Sequence, residues 1–375
     1  MKRRAAIHRL GALGLLLARP LRAQSARIVI GQSAALSGPV KALGEEFRRG
    51  ALLYFDNVNA RGGVAGHELE LRTLDDGYEP ERCAANTRRL IDDGATVLFG
   101  YIGTPTSLAA LPIATAAKLP FVAPFSGADA LRNPFNRHVF HVRASYFDET
   151  AEIVKQATGI GIRRIGVFSQ NDSYGQAGLA GVTRALKAQS LEPVGVGTFE
   201  RNTVAVEAAV KSILASNPEA IVQIGAYKAC AAFIRAAHAA GYTGTFYNVS
   251  FVGTRALAEE LGPAARGVIV SQVMPYPYSA STPIAGDYLA AGKAAAGEHF
   301  EPNYTSMEGY VAARTLVAGL RHAGGTHTAE GLIKGLESLG NTDLGGFYVD
   351  FSPQKHTGSK LVDLTILTET GQVRR

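Results

Sequence analysis

Hydroxyl side chains on two loops carry the first chemical signal in this chain. Thr104, Thr106 and Ser107 lie in GYIGTPTS (100–107), and Ser126 lies in PFSGA (124–128). Each loop follows a short apolar run, Ala95–Phe99 and Pro120–Ala123, and each precedes a segment able to start a helix or turn. In open α/β sheets, strand ends and the free N–H groups of helix N-termini converge on a crevice that seats a small anionic group. Hydroxyls placed there donate or accept as the guest requires. That chemistry is reversible holding, not bond-making. The same residue types also serve as ordinary N-caps and turn formers, so their weight depends on the rest of the chain.

Residues suited to catalysis form no such pattern. His67, His138, His141, His238, His299, His322, His327 and His356 are scattered, with no HExxH and no close Cys/His set suited to zinc. His138 and His141 flank a strand turn and are expected at the surface. No GxSxG elbow and no GxxxxGK[ST] phosphate loop occurs. The chain is therefore expected to be no enzyme, with no catalytic residue, no cofactor and no metal. Cys83 and Cys230 stand far apart on helical stretches, and free buried thiols are expected.

The 375 residues suffice for two domains with their own cores, and 46% apolar with 19% charged residues describes a globular chain. The first residues stand apart. Lys2, Arg3 and Arg4 form a basic head, Leu10–Ala18 a short apolar run, and a small-residue region ends near Ala23 or Ser25. This pattern reads as a secretory signal over 1–23, and the run is too short to span a bilayer. Residues 1–26 hold six of the 38 basic residues and none of the 32 acidic ones, so the remainder is balanced. The formal charge of +6 thus belongs to the signal, and no nucleic-acid partner is expected. No later segment reaches transmembrane length, and an exported, soluble product is expected.

From Ala26 onward, short β-rich runs alternate with longer amphipathic ones. Strands are expected at Arg27–Gly31, Leu69–Leu74, Val97–Tyr101 and Pro120–Ala123. Helices are expected near 44–60, 79–92 and 106–118. A second series places strands at 164–169, 194–199, 220–224 and 244–247, with helices near 175–189, 205–216 and 228–240, and Val268–Gln272 leads out of it. Such alternation argues for two α/β domains, each a parallel sheet flanked by helices. The Pro- and Tyr-rich VMPYPYSASTP reads as a crossing between them. The helices over 284–296, 306–322 and 329–339 are expected back on the first domain, and 346–351 and 361–367 as strands of an antiparallel edge.

IGQSAALSGP, GEEFRRGALLYFDNVNARGGVAGHELEL, LDDGYEP, the two hydroxyl loops, NDSYGQAGLAGV, IGAYKACAAFIRAAHAAG, SMEGYVAARTL and GGFYVDFSPQKHTGS occur in this order over some 340 residues. In these strings the chain resembles the exported solute-binding proteins of ABC importers, specifically the leucine/isoleucine/valine-binding group. The resemblance implies a type I clamshell of two α/β lobes joined by three hinge crossings, closing over a small ligand that is passed to a membrane permease. It implies lobe 1 at 27–144 plus 275–346 and lobe 2 at 145–274 plus 347–375.

Carried over residue by residue, the first-lobe ligand contacts fall on Ile102, Gly103, Thr104, Phe125, Ser126 and Gly127. The second-lobe aromatic contacts fall on Tyr174 and Tyr227. Ser250 and Phe251 follow a strand, as ligand contacts or as a simple turn, and Tyr146 either faces the cleft or stiffens the first crossing. Tyr101 is expected toward the crevice, and Glu308 and Tyr310 as packing or capping residues. The chain departs from the group in three places. The second-loop hydroxyl position aligns with Gly127, with Ser126 one place earlier. The glutamate that pairs with an amino acid's ammonium aligns near Ser250, in a stretch without a carboxylate. The first-lobe disulfide has no counterpart. The second departure favours a ligand with a carboxylate or other polar head and a large apolar or aromatic body, because a buried unpaired ammonium is expensive. The expected partners are that ligand and an inner-membrane ABC permease, with the binding protein a monomer. A ligand sensor of the same fold is the alternative.

Overall fold

The computed structural model describes residues 27–375; the expected signal segment lies outside the described residues. The first series runs β1 (Arg27–Ala34), α1 (Lys41–Asn59), β2 (Glu68–Asp75), α2 (Pro80–Asp92), β3 (Val97–Phe99), α3 (Thr104–Ala116), β4 (Phe121–Val122) and β5 (Val139–Phe140). Its five strands form one parallel sheet in the order β2-β1-β3-β4-β5. Register is set by apolar residues: Ile30 stands opposite both Leu71 and Val97, and Phe121 opposite Leu98 and Val139.

The second series comprises α4 (Tyr146–Gly159), β6 (Ile165–Gln170), α5 (Ser173–Lys187), β7 (Gly195–Phe199), α6 (Glu207–Leu214), β8 (Ala220–Ile224), α7 (Tyr227–Ala239), β9 (Thr245–Asn248), α8 (Thr254–Leu261) and β10 (Ile269–Gln272). Strands β6 and β8 are buried throughout, as expected of central parallel strands covered on both faces. The parallel part repeats the first order, β7-β6-β8-β9-β10. Helix α4 was not expected. A capping box starts it: Ser145 accepts from the Asp148 N–H and Asp148 from the Ser145 N–H, an arrangement worth about 1 kcal/mol.

The last series is α9 (Pro283–Ala296), α10 (Tyr304–His322), α11 (Ala329–Glu337), β11 (Gly340–Asp343), β12 (Tyr348–Phe351), β13 (Asp363–Leu367) and β14 (Val373–Arg374). Helix α10 returns to the first lobe and lies directly on α1. Leu43, Phe47, Ala51 and Phe55, four residues apart, form the buried stripe of α1. Close approach is possible because both helices place glycine at the contact. A Cβ at Gly50 would lie 1.7 Å from the Ser306 carbonyl, and one at Gly309 would lie 2.0 Å from that of Phe47.

Strands β13 and β14 add to β10 as an antiparallel edge. Residues 348–358, expected with the second lobe, are bonded to the first instead. His141 pairs with Thr357, the His356 ring stacks 3.8 Å from Phe140, and Phe351 packs edge-on against Phe140. The two-residue strand β5 needs this cover on its open side. It also buries His141, expected at the surface, whose ring bonds the Leu131 carbonyl at 3.0 Å. Cys83 and Cys230 are free and buried. Among the described residues, no helix is long and apolar enough to cross a membrane.

Candidate functional site

Each parallel sheet changes direction of strand order once, between β1 and β3 in the first and between β6 and β8 in the second. Chain leaving the carboxyl ends of strands at such switch points lines a crevice. Here the two crevices face each other. From the first lobe come the turns after β2, β3 and β4. From the second come those after β6, β8 and β9.

Gly103 to Thr104 opens α3, and the Thr104 hydroxyl lies 2.8 Å from that of Ser126 on the next loop. Ser126 also accepts from the Ala128 N–H at 3.2 Å, and both hydroxyl residues are fully buried. Ile102 and Phe125 bridge the two loops as a parallel pair. The hydroxyl of the second loop belongs to Ser126, because a side chain at Gly127 has no room. A Cβ there would stand 2.5 Å from Tyr146 Cδ1 and 2.6 Å from its backbone nitrogen.

Over this hydroxyl pair lie aromatic rings from both lobes. Phe251 packs against Tyr174 at 4.7 Å, Phe125 at 5.4 Å and Tyr78 at 6.0 Å between centroids, and Tyr146 meets Tyr174 at 5.4 Å. All five rings are buried. Such pairs add about 0.5–1.5 kcal/mol each beyond their area burial, so they hold the lobes together as well as lining the space between. Gln170 donates across it to the Tyr78 hydroxyl at 3.3 Å. The Tyr146 hydroxyl faces Ser126 buried and without a hydrogen-bond partner, and burial pushes its pKa up to about 12.

Tyr227 begins α7 at the edge of this group, with its hydroxyl toward the Ala42 backbone, and joins none of the ring pairs. Tyr101, expected at the crevice, packs instead on the other face of the first sheet, edge-on to Phe121 and bonded to Thr87. Strand alternation would have placed it on the face of Phe99; Gly100, at φ +60°, breaks the alternation and turns it to the face of Leu98.

The floor of the crevice is charged. Arg143, 1% exposed, donates through Nη2 to Ser250 Oγ and, at 3.2 Å, to Glu149; its Nη1 lies 3.5 Å from Glu308. Burial pushes the Glu308 carboxyl up to about 7. Sequence reasoning singled out neither Arg143 nor Glu149, and took Glu308 for packing. These residues come from three separate elements, and no spacing links them. Tyr78 was missed although it is a non-glycine residue at φ +65°, a conformation that marks a positioned side chain. Its signal was the Asp-Asp-Gly turn before it. Asp76 accepts from Ser33 at 2.7 Å and the Tyr78 N–H at 2.8 Å and holds that turn. Among the described residues, no three His, Cys, Asp or Glu side chains are grouped to hold a metal ion.

A family model described as periplasmic binding protein matches residues 27–372. The chain belongs to that family. This periplasmic binding protein is similar in structure to a possible leucine/isoleucine/valine-binding protein from Rhodopirellula baltica. The two are 35% identical with a TM-score of 0.89, over 94% of this chain and 97% of that one. A substrate-binding periplasmic protein from Ralstonia solanacearum matches at 31% identity and a TM-score of 0.87, over 92% and 99%. An amino acid binding protein from Pseudomonas aeruginosa is 25% identical over 81% of each chain. The family is one of solute binders, not enzymes.

Proposed function

We propose that this periplasmic binding protein is the solute-receiving component of an ABC importer. It takes a small ligand with a carboxylate or amino-acid-like head between its lobes and delivers it to a membrane permease. The observation that carries this reading is the buried Thr104–Ser126 hydroxyl pair at the start of α3, roofed by rings from both lobes. A carboxylate seated there gains hydroxyl donors and the N-terminal dipole of α3 while closure removes it from water. Ile102, Gly103, Thr104, Phe125, Ser126 and Gly127 form the first wall, and Tyr146, Tyr174, Ser250 and Phe251 the second, with Tyr227 at its rim. We place the lobes at 27–144 with 275–358 and at 145–274 with 359–375, acting as a monomer after export.

The mechanism is differential binding. Ligand contacts both walls only when the lobes are shut, so it draws the open–closed equilibrium toward the closed form that a permease would read. The similarity to a possible leucine/isoleucine/valine-binding protein supports this ligand class. Small-angle scattering of the mature chain with and without a bound carboxylate tests it. A smaller radius of gyration on binding is expected. Binding with an unchanged radius would place the ligand outside the cleft.

A further inference from the structure

The charged cluster on the cleft floor holds more donors than it uses. Glu149 is saturated: one oxygen accepts from the Ser250 N–H at 2.8 Å and Ser271 Oγ at 2.6 Å, the other from Ser250 Oγ at 3.1 Å and Arg143. Those bonds turn its oxygens toward the second lobe. Arg143 is not saturated. Its Nε and Nη1 are buried without a hydrogen-bond partner, although Nη1 stands within ion-pair distance of Glu308. The guanidinium carbon lies 4.9 Å from the Phe125 ring centroid and 5.9 Å from that of Tyr146, two of the rings that wall the cleft. A guanidinium cannot shed its charge in a protein, and unmade bonds from a buried donor are costly. The space lined by Phe125, Ser250, Gln272, Tyr304, Thr305 and Glu308 is about 10 Å³, room for one water at most.

We propose that Arg143 is a specificity-determining residue: its guanidinium holds the cation place on the cleft floor, so the cleft selects carboxylates lacking an α-ammonium over the matching amino acids. This rests on the carboxylate-binding reading above. An incoming ammonium meets a like charge at close range and finds Glu149 already occupied by four donors; Glu308, the other carboxylate there, already has the Arg143 guanidinium 3.5 Å away. A carboxylate meets the hydroxyl pair on one side and open guanidinium N–H groups on the other. The ligand's apolar body replaces ring contacts between Phe125, Phe251 and Tyr174.

The test is calorimetric titration with matched pairs, 4-methylpentanoate against leucine and 3-phenylpropanoate against phenylalanine. The wild type, Arg143→Met, Arg143→Lys and Glu308→Gln are compared. In the wild type each acid is expected to bind at least tenfold tighter than its amino acid. Arg143→Met is expected to lower that ratio tenfold or more, and Arg143→Lys, which keeps the charge, to retain it. Glu308→Gln is expected to leave the preference for acids in place. A purely structural Arg143 would weaken all ligands alike, and an unchanged ratio in Arg143→Met overturns its role in selection. Wild-type preference for amino acids, lost in Glu308→Gln, overturns it as well and makes Glu308 the ammonium's partner. Should Arg143→Met not fold, Arg143→Gln, which removes the charge and keeps amide donors, takes its place with the same two outcomes. Wild-type binding of neither acids nor amino acids overturns the carboxylate reading itself.

Discussion

Arg201 Nη2 stands 2.9 Å from Glu79 Oε2, joining the loop after β7 in the second lobe to the residue that precedes α2 in the first. Asn202 doubles the link, donating to Glu79 Oε1 at 2.7 Å and to the Gly77 carbonyl at 3.1 Å. Both charged side chains are part-exposed, so the ion pair is worth at most about 1 kcal/mol. That is small against the stability of the fold but not against an open–closed equilibrium. Glu79→Gln is expected to weaken ligand binding up to about fivefold, with the difference shrinking as salt rises. Titrations at low and high ionic strength would show it, and equal affinities at low salt would exclude the latch.

Thr104 and Ser126 act as a unit because each hydroxyl orients the other. Thr104→Ala is expected to cost about 1–3 kcal/mol of carboxylate affinity. The double variant with Ser126→Ala should cost less than the sum of the two, by about 0.5 kcal/mol or more. Strict additivity in the double-mutant cycle would mean that the two do not share a guest.

Gly127 tests the geometry of the second loop without touching a hydroxyl. Gly127→Ser is expected to destabilise the fold by about 1–3 kcal/mol, since the new Cβ overlaps Tyr146. Urea unfolding measures it, and a neutral change would contradict the tight loop described above.

Glu308 gives the pH dependence. Its carboxyl titrates near 7 in the fold, against an ordinary value near 4.5, because burial disfavours the charge. Between those values the folded chain binds more protons than the unfolded one, so this group's contribution to stability falls as pH rises from about 4.5 to 7. Asp76, raised by burial to about 6, acts in the same direction. Glu308→Gln is expected to match the wild type near pH 4.5 and to exceed it at pH 8 by up to roughly 3 kcal/mol. Unfolding at both pH values decides, and a variant less stable at pH 8 would mean that the Arg143 pair outweighs the burial cost.

Much of this architecture was legible because its signals are local. Apolar runs followed by Gly, Thr or Ser marked the strand ends; the loop at 100–107 stands where the first sheet changes direction and the loop at 124–128 beside it, after the next strand. Other parts were hidden by their surroundings or by distance. Strand β5, Val139–Phe140, sits among Arg137, His138 and His141, so no apolar run marks it. Helix α4 carried a readable Ser-x-x-Asp start that a basic, aromatic surrounding masked. Arg143 and Glu308 meet only through a crossing and a returning helix, and the sequence separates them by 165 positions. The contacts of 348–358 fall on residues 139–141, around a strand not foreseen from the sequence. Tyr101 turned to the far face because Gly100, at φ +60°, breaks the alternation after Phe99, against the expectation drawn from its loop.

The central claim, a carboxylate held between the lobes, is tested most directly by thermal unfolding of residues 27–375 with matched triples: 4-methylpentanoate, leucine and 3-methylbutylamine. A ligand at 100 times its dissociation constant stabilises by about 2.7 kcal/mol, a shift of several degrees for a lobe of this size. The acid is expected to raise the transition and the amine to leave it unchanged. A shift with the amine, or with none of several such acids, would contradict a carboxylate-binding cleft.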